Sequence, residues 1–122
     1  MTEAASIRNN KLRLLVVEDH PSVRSSLVRF INLQEDMEVV GEAEDGRGAL
    51  ELAAICRPDV ILIDVRMPQM DGIQAIDELR RAKSKARILV LSAYSDEAYI
   101  SEAIKRGADG YICLLYTSDA AD

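Results

Sequence analysis

The chain has 122 residues, of which 48% are hydrophobic and 30% are charged, so it has the size of one compact domain and is too apolar for a disordered chain. Its formal net charge of -6 gives it no basic surface of the kind that binds nucleic acid or anionic membranes. No apolar stretch reaches the roughly 18 residues of a spanning helix, and residues 1–11 lack the apolar middle of a signal peptide. We therefore expect a cytoplasmic protein with a disordered leader over 1–11.

Short apolar runs alternate with helical periodicities along the whole chain. Three of the runs are apolar almost without alternation, which is typical of strands covered on both faces of a parallel sheet. In chain order the predicted elements are strand Leu14–Val17, a helix beginning at Pro21, strand Glu38–Ala43, helix Arg47–Cys56, strand Val60–Ile63, a helix after Asp71, strand Ile88–Leu91, helix Ser95–Arg106 and strand Gly110–Cys113. This order predicts a three-layer α/β fold with right-handed crossovers.

The helices are predicted from spacing and from their ends. The buried face of the first helix is expected to carry Val23, Leu27, either Phe30 or Ile31, and Gln34. Ile73, Ile76 and Leu79 repeat at helical spacing in the third helix, for which Asp71 is a plausible N-cap. Gly107 is expected to end the fourth helix.

Polar side chains follow three of the predicted strands. Glu18 and Asp19 come after the first strand, Asp64 after the third and Ser92 after the fourth. Because ligands of open α/β sheets bind beyond the carboxyl ends of the strands, we expect three carboxylates and one hydroxyl to converge at one edge. Carboxylates packed together repel unless a proton or cation intervenes. The sequence therefore predicts a Mg²⁺ site, since this ion favours a few carboxylates together with phosphate oxygens.

A carboxylate beside Mg²⁺ can also be a nucleophile that forms an aspartyl phosphate. The phosphoryl donor must arrive already activated, because no phosphate-binding loop of the G-x-x-x-x-G-K-[ST] type is present. The two cysteines, Cys56 and Cys113, have neither metal-site spacing nor the density of a disulfide scaffold. We interpret both as incidental.

Each of these residues also has a purely structural interpretation. Asp19 could cap the helix that begins near Pro21, Ser92 could be a turn hydroxyl, and Glu18 alone is uninformative. His20, the only histidine, is interpreted as a surface loop residue. Asp64 is harder to explain structurally, because an uncompensated charge at the end of a buried strand is costly.

Four segments, in this order, resemble the receiver domains of two-component response regulators, the CheY-like family. They are Leu14–His20, Pro58–Gly72, Leu91–Ala93 and Gly107–Tyr111, and the resemblance covers about residues 12–112. It implies a flavodoxin-like five-stranded parallel sheet of order 2-1-3-4-5, and phosphoryl transfer from a histidine kinase to Asp64. The protein would promote only its own phosphorylation and dephosphorylation, and so would not be a conventional enzyme.

The resemblance also implies a role for each site residue. Glu18, Asp19 and Asp64 would hold Mg²⁺ together with the backbone carbonyl of Arg66. Ser92 would hydrogen-bond the phosphate, and Tyr111 would be the switch aromatic that turns inward when Ser92 moves. Pro68 and Gly72 would shape the loop beside the phosphate acceptor.

Finer features, such as Asp19-His20-Pro21, resemble LuxR-type regulators, which usually carry a DNA-binding helix-turn-helix domain that is absent here. Homodimerisation on phosphorylation would be possible. The family's lysine after the fifth strand is expected at position 114, where this chain has Leu114. We interpret residues 113–122 as a non-family tail, a translated sequencing adapter on a C-terminally truncated domain that lacks its fifth helix. The alternative is a genuinely divergent C-terminus.

Two functions follow for this domain. The leading hypothesis is a phosphoacceptor that controls an output, expected to be transcription. The alternative is a pseudo-receiver, a protein-interaction module that phosphorylation does not switch. The absent lysine favours the alternative, whereas Glu18, Asp19 and Asp64 argue against it.

Overall fold

The computed structural model describes residues 11–64, 72–92 and 97–113, in which strands and helices alternate. The strands are β1 (Leu12–Val17), β2 (Met37–Ala43), β3 (Val60–Asp64), β4 (Arg87–Ser92) and β5 (Gly110–Cys113). The helices are α1 (Pro21–Asn32), α2 (Gly46–Cys56), α3 (Gly72–Arg81) and α4 (Glu97–Arg106). The α/β prediction is confirmed, and each predicted strand lies within the observed one.

The five strands form one parallel sheet in the order β2-β1-β3-β4-β5, as predicted. β1 lies between β2 and β3, and its last residue, Val17, is paired with Ile63 of β3. Asp64, one residue further along β3, is paired with Leu91 of β4. This register brings the carboxyl ends of β1, β3 and β4 to the same level at one edge of the sheet.

The core lies on both faces of the sheet because successive side chains of a strand point to opposite faces. On one face Leu15 and Val17 join Ile61, Ile63 and the buried residues of α2, α3 and α4. On the other face Leu14 and Val16 pack with Leu62, Leu91 and Ile31 of α1. Strands covered on both faces have no polar alternation, which explains the continuous apolar runs of the sequence.

Helix α1 differs in detail from the prediction. Ile31 is buried at 4% exposure while Phe30 is 63% exposed. The residue on the buried face of the helix is therefore Ile31, four residues after Leu27, and not Phe30. Gln34 lies two residues beyond the end of the helix, and the prediction that it extends the helical face is wrong. The N-cap of α1 is His20, with no side-chain capping hydrogen bond.

The other helix ends are set by local chemistry. α2 begins one residue earlier than predicted, and its N-cap Asp45 accepts a hydrogen bond from the Gly48 amide at 2.8 Å. Gly107 follows α4 with a φ of +127°, which confirms it as the stop because few other residues adopt this conformation. The predicted cap Asp71 and the predicted helix start at Ser95 lie outside the described residues.

The predicted leader and tail lie outside the described residues, apart from exposed Lys11 and from Cys113, which ends β5. The expected lysine position, Leu114, is likewise outside them. Among the described helices, none combines the length and apolar character that a bilayer-spanning helix requires.

Arg80 at the end of α3 ties this helix to the starts of β4 and β5. Its guanidinium donates to the carbonyls of Ser84 and Ala86 at 3.0 Å, to that of Gly107 at 2.9 Å, and to Asp109 Oδ2 at 2.8 Å. We call these five residues the Arg80 clasp. A Cβ at Gly107 would lie 2.5 Å from Cγ of Arg80, so the clasp also depends on a glycine there.

The clasp predicts a stability defect. Arg80→Met keeps the aliphatic stem but removes four hydrogen bonds, so we expect the free energy of unfolding to fall by about 2–4 kcal/mol in urea titrations. The matched control is Arg81→Met, whose side chain is 75% exposed and forms an ion pair with Asp77 at 3.4 Å, and it should cost less than about 1 kcal/mol. Equal losses in the two variants would show that the clasp contributes nothing specific.

Candidate functional site

Glu18 is a buried carboxylate directly after β1. It is 4% exposed, its amide donates to the Ala43 carbonyl at 3.0 Å, and its carbonyl accepts a hydrogen bond from the Arg24 guanidinium at 2.7 Å. Burial raises the pKa of Glu18 to about 6, and the charge and hydrogen bond of Asp64 act in the same direction. The His20 amide, which donates to Glu18 Oε2 at 3.1 Å, partly offsets this rise in pKa.

Asp19 presents a carboxylate oxygen that the described protein leaves unsatisfied. Its Oδ1 is buried and accepts no hydrogen bond, although His20 Nδ1 lies 3.2 Å away. Because the N-cap of α1 is His20, the interpretation of Asp19 as the helix cap is wrong. An orphaned buried carboxylate oxygen is costly without a cation, and this favours the metal-site interpretation.

His20 is the residue of the cluster that sequence reasoning missed. Its side chain is 68% exposed, as a surface residue should be, but Nδ1 lies 3.1 Å from Glu18 Oε2 and 3.2 Å from Asp19 Oδ1. Hydrogen bonding to Glu18, together with the charges of Asp19 and Glu18, raises the pKa of His20. Its position directly after Glu18 and Asp19 was the sequence signal for a place in this cluster. A single histidine is only weak evidence for a metal site.

Asp64 lies beside this cluster at the end of β3. It is partly buried, and its side chain shares a hydrogen bond with Glu18. Ser92 ends β4 at the same edge, and Tyr111 of β5 is 51% exposed and paired with Val90. The Ser92 side chain lies outside what the structure describes.

Other predicted site residues fall in the loop after β3. Arg66 and Pro68 lie outside the described residues, whereas Gly72 is the buried first residue of α3. The structure therefore brings together Glu18, Asp19 and Asp64, as the sequence predicts, and adds His20.

The described residues fit a divalent cation. One ligand atom from each of Glu18, Asp19 and His20 can be chosen so that all three lie within 4.8 Å of one another. Carboxylate oxygens are the donors that a hard ion such as Mg²⁺ prefers, and imidazole nitrogen is a softer ligand. A bound cation would give Asp19 Oδ1 the partner that it lacks. It would also offset the burial of Glu18 and the repulsion between Glu18 and Asp64.

Comparison with known proteins identifies the family. The sequence profile of the response regulator receiver domain matches residues 14–113. The chain belongs to the response regulator receiver domain family. The receiver is 41% identical over 99 residues to the nitrate/nitrite response regulator protein NarL of Escherichia coli strain K12, covering 81% of this chain and 46% of NarL. It spans about half the length of the curated relatives that it matches.

Solved receiver structures have the same fold. The signal receiver domain of the putative response regulator NarL from Mycobacterium tuberculosis is 41% identical, with a TM-score of 0.81 over 85% of this chain and 84% of that one. A LuxR-family two-component response regulator from Aurantimonas is 32% identical, with a TM-score of 0.81 over 90% of this chain and 78% of that one. The resemblance to LuxR-type receivers is thereby confirmed.

The raised pKa of Glu18 predicts a pH-dependent stability in metal-free protein. The folded state, with Asp19, His20 and Asp64 around Glu18, keeps a proton between pH 4.5 and about 6 that the unfolded chain releases. The contribution of Glu18 to stability should therefore fall as pH rises through this window, and loss of the His20 proton acts in the same direction. Relative to the parent, Glu18→Gln should gain about 1–2 kcal/mol between pH 4.5 and 7 in urea titrations with chelator.

The matched control is Glu35→Gln, which neutralises an exposed acid in the loop before β2. Its unfolding free energy should run parallel to that of the parent across the same pH range. A Glu18→Gln curve that also runs parallel would contradict the assigned pKa.

Proposed function

We propose that this receiver domain is a phosphoacceptor switch in a two-component system, in which Asp64 takes a phosphoryl group from the phosphohistidine of a histidine kinase. The observation that supports this is the unsatisfied Oδ1 of Asp19 next to buried Glu18 and partly buried Asp64. A purely structural cluster would have its buried oxygens satisfied by protein donors. A cluster that binds a cation and a phosphate keeps some of its oxygens free of protein donors, because the cation contacts them.

The chemistry assigned to Asp64 is nucleophilic substitution at phosphorus. A carboxylate oxygen of Asp64 forms the new O–P bond, while the N–P bond breaks and its electron pair returns to the imidazole nitrogen of the donor. Bound Mg²⁺ would supply neutralisation of the charge on the transferring phosphoryl oxygens. Glu18 and Asp19, with the Arg66 carbonyl, would hold the ion, and Glu18 would bind it in the ionised form that predominates above its pKa of about 6.

The readout is assigned from the family pattern. The Ser92 hydroxyl would donate to a phosphate oxygen, and Tyr111, which is half exposed here, would turn inward in the phosphorylated state. Leu114 cannot supply the ammonium group of the family lysine, so we expect phosphate acceptance to be better retained than the relay of the signal. The partners in a full-length protein would be a histidine kinase and a LuxR-type DNA-binding output domain, with homodimerisation following phosphorylation.

Phosphate acceptance is tested by intact-mass spectrometry after incubation with acetyl phosphate and Mg²⁺. The chain should gain the mass of one phosphoryl group, and Asp64→Asn should gain none because the amide is not nucleophilic. The matched control is Asp59→Asn, which changes an exposed acid just before the same strand and should retain the adduct. The absence of any adduct on the parent chain would favour the pseudo-receiver alternative.

The ligand set is tested by Mg²⁺ binding, measured by isothermal titration. Removing the unsatisfied oxygen in Asp19→Asn should weaken Mg²⁺ binding roughly tenfold or more, and should slow adduct formation by a similar factor. Binding should also strengthen roughly tenfold from pH 5 to pH 7 as Glu18 loses its proton. Asp36→Asn, at an exposed turn before β2, is the control and should change neither quantity. Unchanged Mg²⁺ affinity in Asp19→Asn would remove this residue from the site.

A further inference from the structure

A groove of about 1020 Å³ lies at the edge of the sheet opposite the acidic cluster. Leu12, Val60 and Arg87, the first residues of β1, β3 and β4, line it, so it faces the amino ends of the strands. Its side walls come from α2 and from α3 with the turn that follows it. We call it the amino-edge groove.

Small side chains leave this space open. The apolar lining includes Ala53 and Ala54 of α2, Ala82 after α3, and Ala86 before β4, with Leu79 of α3 among them. Leu79 and Ala86 are buried at 1% and 6% exposure, so the groove reaches the hydrophobic core. A volume of this size is at the upper end of the range for small-molecule sites.

The rim of the groove is basic although the whole chain has a net charge of -6. Four exposed cations line it, namely Arg57, Lys83, Lys85 and Arg87, against two carboxylates. Within the described residues none of these four forms an ion pair. One of the two carboxylates, Asp59, accepts a hydrogen bond from the Arg13 amide at 2.9 Å.

Cations at this edge could simply balance the negative carboxyl ends of the flanking helices. Other hydrogen-bond donors already satisfy the carbonyls at these helix ends. Arg13 donates to the carbonyls of Cys56 and Arg57 at 2.7 Å, at the end of α2. At the end of α3, the carbonyls of Glu78, Leu79 and Arg80 accept hydrogen bonds from the amides of Ala82, Ser84 and Lys83. The four rim cations are therefore in excess of what the helix ends require.

We propose that the amino-edge groove binds a small amphiphilic anion, in which an apolar ring or chain enters the alanine-lined space and a carboxylate or sulfonate meets the basic rim. The apolar lining alone would accept a neutral ligand, and the uncompensated cations select an anion. This site is separate from the phosphoacceptor edge and does not depend on the function proposed there.

The test is an NMR titration of the ¹⁵N-labelled chain with naphthalene-2-carboxylate, compared with neutral naphthalene-2-methanol. The carboxylate should shift the amide signals of Ala53, Lys83 and Ala86 with a Kd on the order of 1 mM. Its affinity should exceed that of the alcohol by about threefold or more. Saturable shifts at these amides with that preference support the proposal.

Two variants sharpen the test. Lys85→Glu reverses a rim charge and should weaken binding of the carboxylate by about threefold or more while leaving the alcohol unchanged. Lys105→Glu makes the same change at an exposed position of α4 and should leave both affinities unchanged. The proposal is overturned by equal affinity for the two ligands, by equal effects of the two variants, or by shifts confined to residues around Glu18 and Asp64. It is also overturned if neither ligand shifts the groove amides, as expected for a groove that takes only a peptide.

Discussion

The receiver site depends on the register between β1 and β3. With Val17 paired to Ile63, the residues that follow them in the chain are Glu18 and Asp64, and their carboxyl groups are close enough to share a hydrogen bond. The buried strands Leu14–Val17 and Val60–Ile63 fix this register, because both faces are closely packed and a slip by one residue would exchange side chains of different shape between two filled layers. The hydrophobic core thus holds together acids that would separate if the chain were free to move.

Such an arrangement costs free energy in the absence of a cation. Glu18 is buried, has a raised pKa and faces another acid, while Asp19 keeps an oxygen without a hydrogen bond. His20 relieves part of this cost, since its amide and its ring nitrogen both lie 3.1 Å from Glu18 Oε2. A site that is only partly neutralised by its own protein is suited to binding a cation, because the cation removes a cost that the fold already carries.

Much of the fold could be predicted from the sequence because buried parallel strands leave a direct pattern, as in Val60–Ile63. The carboxylates of the site could be predicted for the same reason, since their positions follow from the strand ends. Details set by side-chain contacts across space could not. The structure places His20, and not Asp19, at the N-cap of α1, and the His20 amide donates to Glu18 Oε2. The role of Arg80 could not be predicted, because the partners of its guanidinium lie up to 29 residues away in the chain.

The two edges of the sheet are held together in different ways. At the amino edge, Asp109 Oδ2 accepts hydrogen bonds from Arg80 and from the Ile88 amide at 2.8 Å, which joins the starts of β4 and β5. At the carboxyl edge the same two strands end at Ser92 and Cys113, which are paired to each other. The described contacts of the clasp lie at the amino ends of β4 and β5, whereas the acidic cluster lies at the carboxyl edge, so the two edges of the sheet are stabilised by different chemistry.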